Sequence, residues 1–334
     1  MTRRLGFLLH LDGDESPAEA YAAAIDLFAA AEDLGYDSGW VIQRHFRQGN
    51  EHISSPLVVL AAIAQRTHRI RLGTGVLVLP LEDPLRVAED AATLDALAGG
   101  RLELGVGSGP FPGAWEAFGK DLADRHDQWD ASVARLHEVL DGTALNSLGE
   151  VLHPPGRELR RRLWQATSGD PARATAAVVA AARAGDGLQL SRATGWRGGT
   201  VEEAQRQQAG WIDTYLKAWD RPEPPRVQVS RALYPHPDRA EAVRLVTPGV
   251  RRWQSWMSAS NAASLSVDGF LAADRALLGP PEDIATALSA DPALEHATDL
   301  LVSFVPGVPD HAEHLRLLTS AARDVAPLIR KEPR

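Results

Sequence analysis

The stretch from Ile70 to Gly109 reads IRLGTGVLVLP, then an amphipathic segment from Asp83 to Ala98, then GGRLELGVGSG, and it decides the fold. An apolar β-type run, a helix-type run and a second apolar run closed by glycines make one βαβ unit with parallel strands. Gly73, Thr74 and Gly75 lie in the first run; Gly105, Gly107 and Gly109 finish the second. Glycine inside a strand forfeits side-chain packing, so it marks a bulge, a tight barrel corner or a close approach of backbone or ligand. For any one position the packing explanation suffices. Two such sites on consecutive strands, at the carboxyl edge where α/β proteins hold ligands, point to a flat or phosphorylated ligand.

The same alternation extends in both directions. Leu5–His10 reads as the first strand. Ser16-Pro17-Ala18-Glu19 forms a capping box that opens a helix with the stripe Tyr21, Ile25, Phe28 and Ala31, ended by Gly35. Strand two, Asp37–Gln43, runs into the polar loop RHFRQGNEHISS, and Pro56 opens the next helix. Asp83 is the N-cap and Pro84 the first residue of the third helix. Strand four starts at Arg101. A loop to about Asp121 and a helix ending near Leu140 follow. Residues 142–160, with glycine and paired prolines, read as an excursion outside the core. Strand five and its turn span Leu163–Asp170, strand six Gly187–Ser191, strand seven Arg226–Tyr234 and strand eight Thr298–Phe304, each followed by helical pattern. Residues 236–280 are weakly patterned. The expectation is an α/β fold, one (β/α)8 TIM-barrel domain over 1–334 with an insertion at about 236–280 between strands 7 and 8; a doubly wound open sheet is the rival.

Composition bounds the function. The chain is 44% hydrophobic and 24% charged, as in a globular protein with a large core, and its net charge of -9 argues against nucleic acid and against anionic membranes as partners. No run reaches the ~18 apolar residues of a spanning helix. MTRRLGFLLH breaks into charge at Asp12, too soon for a signal peptide, and reads as a strand. With no cysteine there is no disulfide or thiolate chemistry. A cytoplasmic enzyme is the expectation.

His45, just past strand two, is placed to hold or move a proton near neutral pH, or to cap the barrel mouth by hydrogen bonds. His45, Glu51 and His52 lack metal-ligand spacing, and no metal is expected. GVGSG (Gly105–Gly109) lacks the full GxGxxG spacing, with Pro110 at the third-glycine position and Phe111 next, so a Rossmann dinucleotide site is not supported; a phosphate cradle of backbone N–H groups is. Ser168, Gly169 and Asp170 precede a helix starting at Pro171, where an anion or an ordinary N-cap would sit. Glu103 alternates with Leu102 and Leu104, so it faces the barrel interior, with Arg71 on the adjacent strand as its partner in a buried ionic layer.

Together, GWVIQRHF (Gly39–Phe46), SSPLVVLAAIAQRTHRIRLGTGVLVLPLEDPLRVAED (Ser54–Asp90) and LDALAGGRLELGVGSG (Leu94–Gly109) resemble the bacterial luciferase-like, flavin-dependent monooxygenases, with weaker support from WEAFGKD (Trp115–Asp121), GDGLQLS (Gly185–Ser191) and DLLVSF (Asp299–Phe304). The resemblance is dense over residues 1–140 and thin beyond. It implies a (β/α)8 barrel, a homodimer, and reduced FMN at the carboxyl end of the strands. It places His45 beside the reacting flavin and Thr74 and Gly75 under the ring system, often through a non-proline cis peptide. Trp40, Gly107, Ser108, Gly109, Ser168 and Gly169 complete the cofactor site. Ser108 stands where many members have an arginine on the flavin phosphate, and Gly107 where luciferase has a cysteine, so light emission is not implied. The implied chemistry is that of a two-component FMN-dependent monooxygenase. A separate NAD(P)H:flavin reductase delivers reduced FMN, O2 adds at the flavin C4a, and the peroxide oxidises an aldehyde or another small substrate. Trp40 and Phe46 exclude water while His45 manages protons. F420-dependent hydride transfer on the same barrel and a non-catalytic flavin-binding protein are the alternatives. Residues 246–280, with Trp253, Trp256 and Phe270, are expected to form a mobile lid, and Arg251 and Arg252 to approach the phosphate.

Overall fold

Eight parallel strands pair in chain order: β1 (Arg4–Leu9), β2 (Ser38–Val41), β3 (Arg71–Thr74), β4 (Leu102–Gly107), β5 (Leu163–Ala166), β6 (Gly187–Leu190), β7 (Val227–Pro235) and β8 (Asp299–Ser303). β8 pairs with both β7 and β1, so the sheet closes and the open-sheet rival is excluded. This computed structural model describes residues 3–167, 171–192, 200–256, 264–307 and 309–329. Helices follow the strands and bury an apolar layer against the barrel, in which Phe7 meets Phe28 and Tyr36 edge-on at 4.8 and 5.6 Å.

The sequence signals for helix starts act as expected. Ser16 caps helix Pro17–Asp33, with Glu19 reaching back to the Ser16 backbone N–H at 3.0 Å. Asp83 accepts from the Leu85 and Arg86 backbone N–H groups and opens helix Pro84–Leu97.

Side chains fill the barrel interior. Trp40 and Trp164 meet edge to face at 5.8 Å and pack with Leu301 and Leu8. Each tryptophan lies over a glycine of the next strand: an added Cβ would fall 2.1 Å from the Trp40 ring at Gly73 and 2.3 Å from the Trp164 ring at Gly187. Beneath them Glu103 points inward as expected. It accepts from Arg71 Nε and, at 2.6 Å, from Trp164 Nε1, and Arg226 stands 3.7 Å away with its guanidinium over the Trp164 ring.

Three regions hold more structure than their sequence pattern announces. The described residues of 236–280 form an 18-residue helix, Arg239–Trp256, a short helix, Val267–Ala273, and a strand, Ala276–Gly279. That strand pairs in parallel with Ala232–Pro235, so the first half of β7 closes the barrel against β8 and its second half carries the insertion. The loop after β4 contains a short helix, Pro112–Ala117. Residues 142–160 are mostly irregular but not wholly outside the core, because Leu152 and Leu159 are buried in it.

Candidate functional site

Parallel closure brings the ends of all eight strands to one face. At the end of β3 the Thr74 hydroxyl donates to the Gly105 carbonyl at 2.6 Å and accepts from the Gly105 N–H at 2.8 Å, which locks β3 to β4. The peptide between Gly75 and Val76 is cis, and the Gly75 N–H donates to the Val41 carbonyl. The glycines here answer to the protein's own packing. A Cβ would lie 2.1 Å from the Thr74 carbonyl at Gly105, 2.5 Å from Val76 at Gly107 and 2.3 Å from Val78 at Gly109. Gly109 also has φ +63, a left-handed conformation, and its carbonyl accepts from Trp115 Nε1.

At the end of β2 three successive residues diverge. Gln43 is buried, donates to the Ser54 carbonyl and Glu82, and accepts from the Val78 N–H, so it ties three loops together. Arg44 lays its guanidinium over Phe111 at 4.6 Å. His45 is buried against Phe118, with ring centroids 4.9 Å apart, and its Nε2 has no hydrogen-bond partner among the described residues. Burial lowers its pKa, opposed by the charge of Glu82. Trp40 and Phe46 are not the water-excluding pair expected at the mouth. Trp40 is 1% exposed inside the barrel, where its Nε1 donates to Ser38 Oγ, and Phe46 is 65% exposed. The alternation of β2 turns Trp40 inward, while φ +54 at Phe46 turns that ring outward.

A second cluster has no counterpart in the sequence motifs. His10 directly follows β1 and is buried. Its Nδ1 lies 2.5 Å from Glu51 Oε1, and Glu51 Oε2 accepts from the Leu11 N–H at 3.0 Å. An isolated antiparallel bridge between Asp12 and Glu51 sets that register. Arg192, just past β6, pairs with Asp274 at 3.0 Å, and Trp253 stands edge-on to His10 at 6.0 Å and under the Arg192 guanidinium at 5.9 Å. Desolvation pushes Glu51 up to about 7, and desolvation reinforced by the Glu51 charge pushes Asp12 well above the usual carboxylate range. Desolvation, with Arg192 and Arg44 nearby, holds His10 well below the usual imidazole range. The one signal in the sequence is the position of His10 at a strand end; the spacing of Glu51 raises only the question of a metal ligand.

Between helices Arg125–Leu140 and Pro171–Ala184 lies a cavity of about 480 Å3. Ser108, Thr167, His126 and Arg173 line it together with the polar side chains of Asp130, His137 and Gln165, and Trp129 and alanines of the second helix give it apolar walls. Thr167 Oγ1 is buried with no hydrogen-bond partner among the described residues. Ser168 and Gly169 lie outside the described residues. A larger cavity, about 1080 Å3, lies at the opposite, amino-terminal face. Two of its arginines already serve the floor of the barrel, Arg4 with Asp299 and Arg160 with Asp186, so it reads as structure.

The sequence profile of the luciferase-like monooxygenase family matches residues 3–298. Among curated proteins, 4-hydroxyprotoasukamycin monooxygenase of Streptomyces nodosus subsp. asukaensis is 40% identical over 128 residues, 38% of this chain and 34% of that protein. The aligned part thus spans about a third of that relative. The crystal structure of monooxygenase RslO1 from Streptomyces bottropensis superposes with a TM-score of 0.78 at 23% identity, covering 97% of this chain and 99% of that one. The oxygenating constituent of 3,6-diketocamphane monooxygenase from Pseudomonas putida, in complex with FMN, superposes with a TM-score of 0.77 at 18% identity, covering 99% and 100%. At these identities the likeness shows the fold.

Proposed function

The chain belongs to the luciferase-like monooxygenase family, and on that premise we propose that it binds reduced FMN at the carboxyl end of the barrel and uses O2 to oxidise a small organic substrate. The observation that carries the cofactor is the set Ser108, Thr167 and Arg173 in the cavity beside β4 and β5. A phosphate dianion needs a cation and several donors. Arg173 supplies the charge that Ser108 does not, and the hydroxyls of Ser108 and Thr167 supply hydrogen bonds, one from an oxygen now without a partner among the described residues. The locked Thr74–Gly105 pair gives the ring system a rigid support, and Phe111 and Phe118 present apolar surface near Arg44 and His45. Bound in its reduced form, FMN supplies the two electrons that reduce one atom of O2 to water while the other enters the substrate.

The incomplete GVGSG motif supports delivery of reduced flavin by a separate NAD(P)H:flavin reductase. A homodimer is part of the same reading, on the family resemblance of residues 1–140. Fluorescence titration of FMN against riboflavin tests the cofactor assignment. FMN should bind at least tenfold tighter, and Arg173→Ala should remove most of that advantage without changing riboflavin affinity, since a charge-assisted hydrogen bond contributes ~1.5–3 kcal/mol. Equal affinities for the two flavins would overturn the phosphate site. Binding of F420 in place of FMN would move the chain to the hydride-transfer alternative, and FMN binding without any oxygen-dependent turnover to the non-catalytic one.

A further inference from the structure

The groups gathered around His10 come from most of the loops at the barrel mouth. Arg44 enters from the end of β2, Glu51 from the loop after it, and Arg192 from the end of β6. Asp274 and Trp253 enter from the insertion, and His314 from helix His311–Ser320. His10 therefore stands near the centre of the mouth, whereas His45 faces Phe118 and Glu82 at its rim. Both Glu51 oxygens are engaged, one by His10 Nδ1 and one by the Leu11 N–H, so the imidazole is held in one orientation. That leaves His10 Nε2 buried and without a hydrogen-bond partner among the described residues. A buried polar atom on an oriented ring is costly unless a ligand satisfies it.

We propose that His10, oriented by Glu51, is the residue that exchanges a proton with the molecule bound at the barrel mouth. The identity of that molecule rests on the flavin reading; the proton-exchanging pair does not. The pair has two working states. With two protons, the carboxyl of Glu51 donates to Nδ1 and Nε2 carries a hydrogen, which makes Nε2 a donor. With one proton fewer, Nδ1–H donates to the Glu51 carboxylate and the Nε2 lone pair becomes a base. When Nε2 takes the proton of a bound hydroxyl, the O–H bond breaks, an N–H bond forms, and the imidazolium charge is balanced by Glu51. The same proton returns to an oxygen of the product or to water. Desolvation of Glu51, which places its titration at about 7, sets the exchange between these states at neutral pH. Arg44 and Arg192 favour the form with the carboxylate charged, and the Asp12 carboxyl, itself pushed up by burial and Glu51, opposes it.

Nitrogen NMR of the flavin-free protein, with 15N-labelled histidine, reads the pair without any cofactor. The His10 Nε2 signal, assigned by its loss in His10→Gln, should pass from protonated to unprotonated in one step near pH 7. Glu51→Gln should displace that step by more than about one pH unit and leave the His45 signals in place. A ring fixed in one tautomer from about pH 5 to 9, or a step indifferent to Glu51→Gln, overturns the pair. Should His10→Gln not fold, His10→Asn supplies the same assignment, and the wild-type and Glu51→Gln titrations then decide the matter. The second arm follows reoxidation of protein-bound FMNH2 by O2. Its rate should change with pH across the same step, and His10→Gln should flatten that dependence; identical profiles overturn the contact with the bound molecule. Failure of FMNH2 to bind at all would instead remove the flavin reading and leave the NMR result standing.

Discussion

Gly73 shows how a single residue carries the fold to its site. Its Cα lies under the Trp40 ring, and an added Cβ would fall 2.1 Å from that ring, between a buried tryptophan and the β3 backbone. Neither can yield: Trp40 is wedged edge-on against Trp164 and hydrogen-bonded to Ser38. Gly73→Ala should therefore cost ~1–3 kcal/mol of stability by overpacking, read as a lower urea midpoint with an unchanged slope. Loss of less than a few tenths of a kcal/mol would show that the interior yields. The sequence announces a close approach at Gly73 but not what approaches. Trp40 neighbours His45 in the chain, which points to the mouth; that it faces the interior follows only from the pairing of Trp40 with Gly73. The same blindness applies to His10 and Glu51, separated by 41 residues and joined by a bridge no periodicity announces.

Among the elements, helix Arg239–Trp256 is the least legible in the sequence and bears most on access to the mouth. Its buried stripe, Ala242, Val246, Val250 and Trp253, has the spacing of a core-facing helix. Pro248 within it and the run of small polar residues after it mask that stripe and suggest an open lid. Trp253 is 9% exposed and lies against His10 and Arg192, Phe270 is 5% exposed, and Arg252 donates to the Asp12 carbonyl at 3.2 Å. Residues 257–263, the middle of the expected lid, lie outside the described residues, as does the Trp256 side chain. A helix anchored in this way must open locally before a protease can cut it. Trypsin should therefore cleave the native, flavin-free protein slowly at Arg244, Arg251 and Arg252, at rates that follow global unfolding as urea is added. Fast cleavage at Arg251 or Arg252 without denaturant would return the segment to a lid with loosely held aromatics. By contrast, the helices opened by Ser16 and Asp83 are readable, because a cap is a local device and needs no partner from elsewhere in the chain.

At the scale of the whole barrel, the two ends treat charge differently, and acid should reveal it. At the amino-terminal end Glu103, Asp299 and Asp186 are met by arginines. At the carboxyl end burial outweighs pairing, and it lowers the pKa values of His10, His45 and His314. His314, packed edge-on to Phe304 at 5.2 Å with no partner for Nε2 among the described residues, is lowered to about 3, chiefly by desolvation. An unfolded histidine takes up a proton near pH 6.5, so between that value and about 3 the unfolded state binds the extra proton. The stability His314 contributes as a neutral ring is therefore complete above about pH 6.5 and is lost as the pH falls toward 3. Glu51 acts in the opposite sense: raised to about 7 from 4.5, it favours the folded state as the pH falls through that range, so the wild type alone would show little slope near pH 5–6. A difference measurement separates the two. The stability of the wild type relative to His314→Gln, from urea unfolding, should fall by up to about 2 kcal/mol between about pH 7 and pH 5, because the glutamine of the variant cannot titrate and Glu51 is common to both proteins. A difference that stays constant over that interval would mean that water or a charge reaches the His314 ring, and that the mouth is wetter than its burial implies.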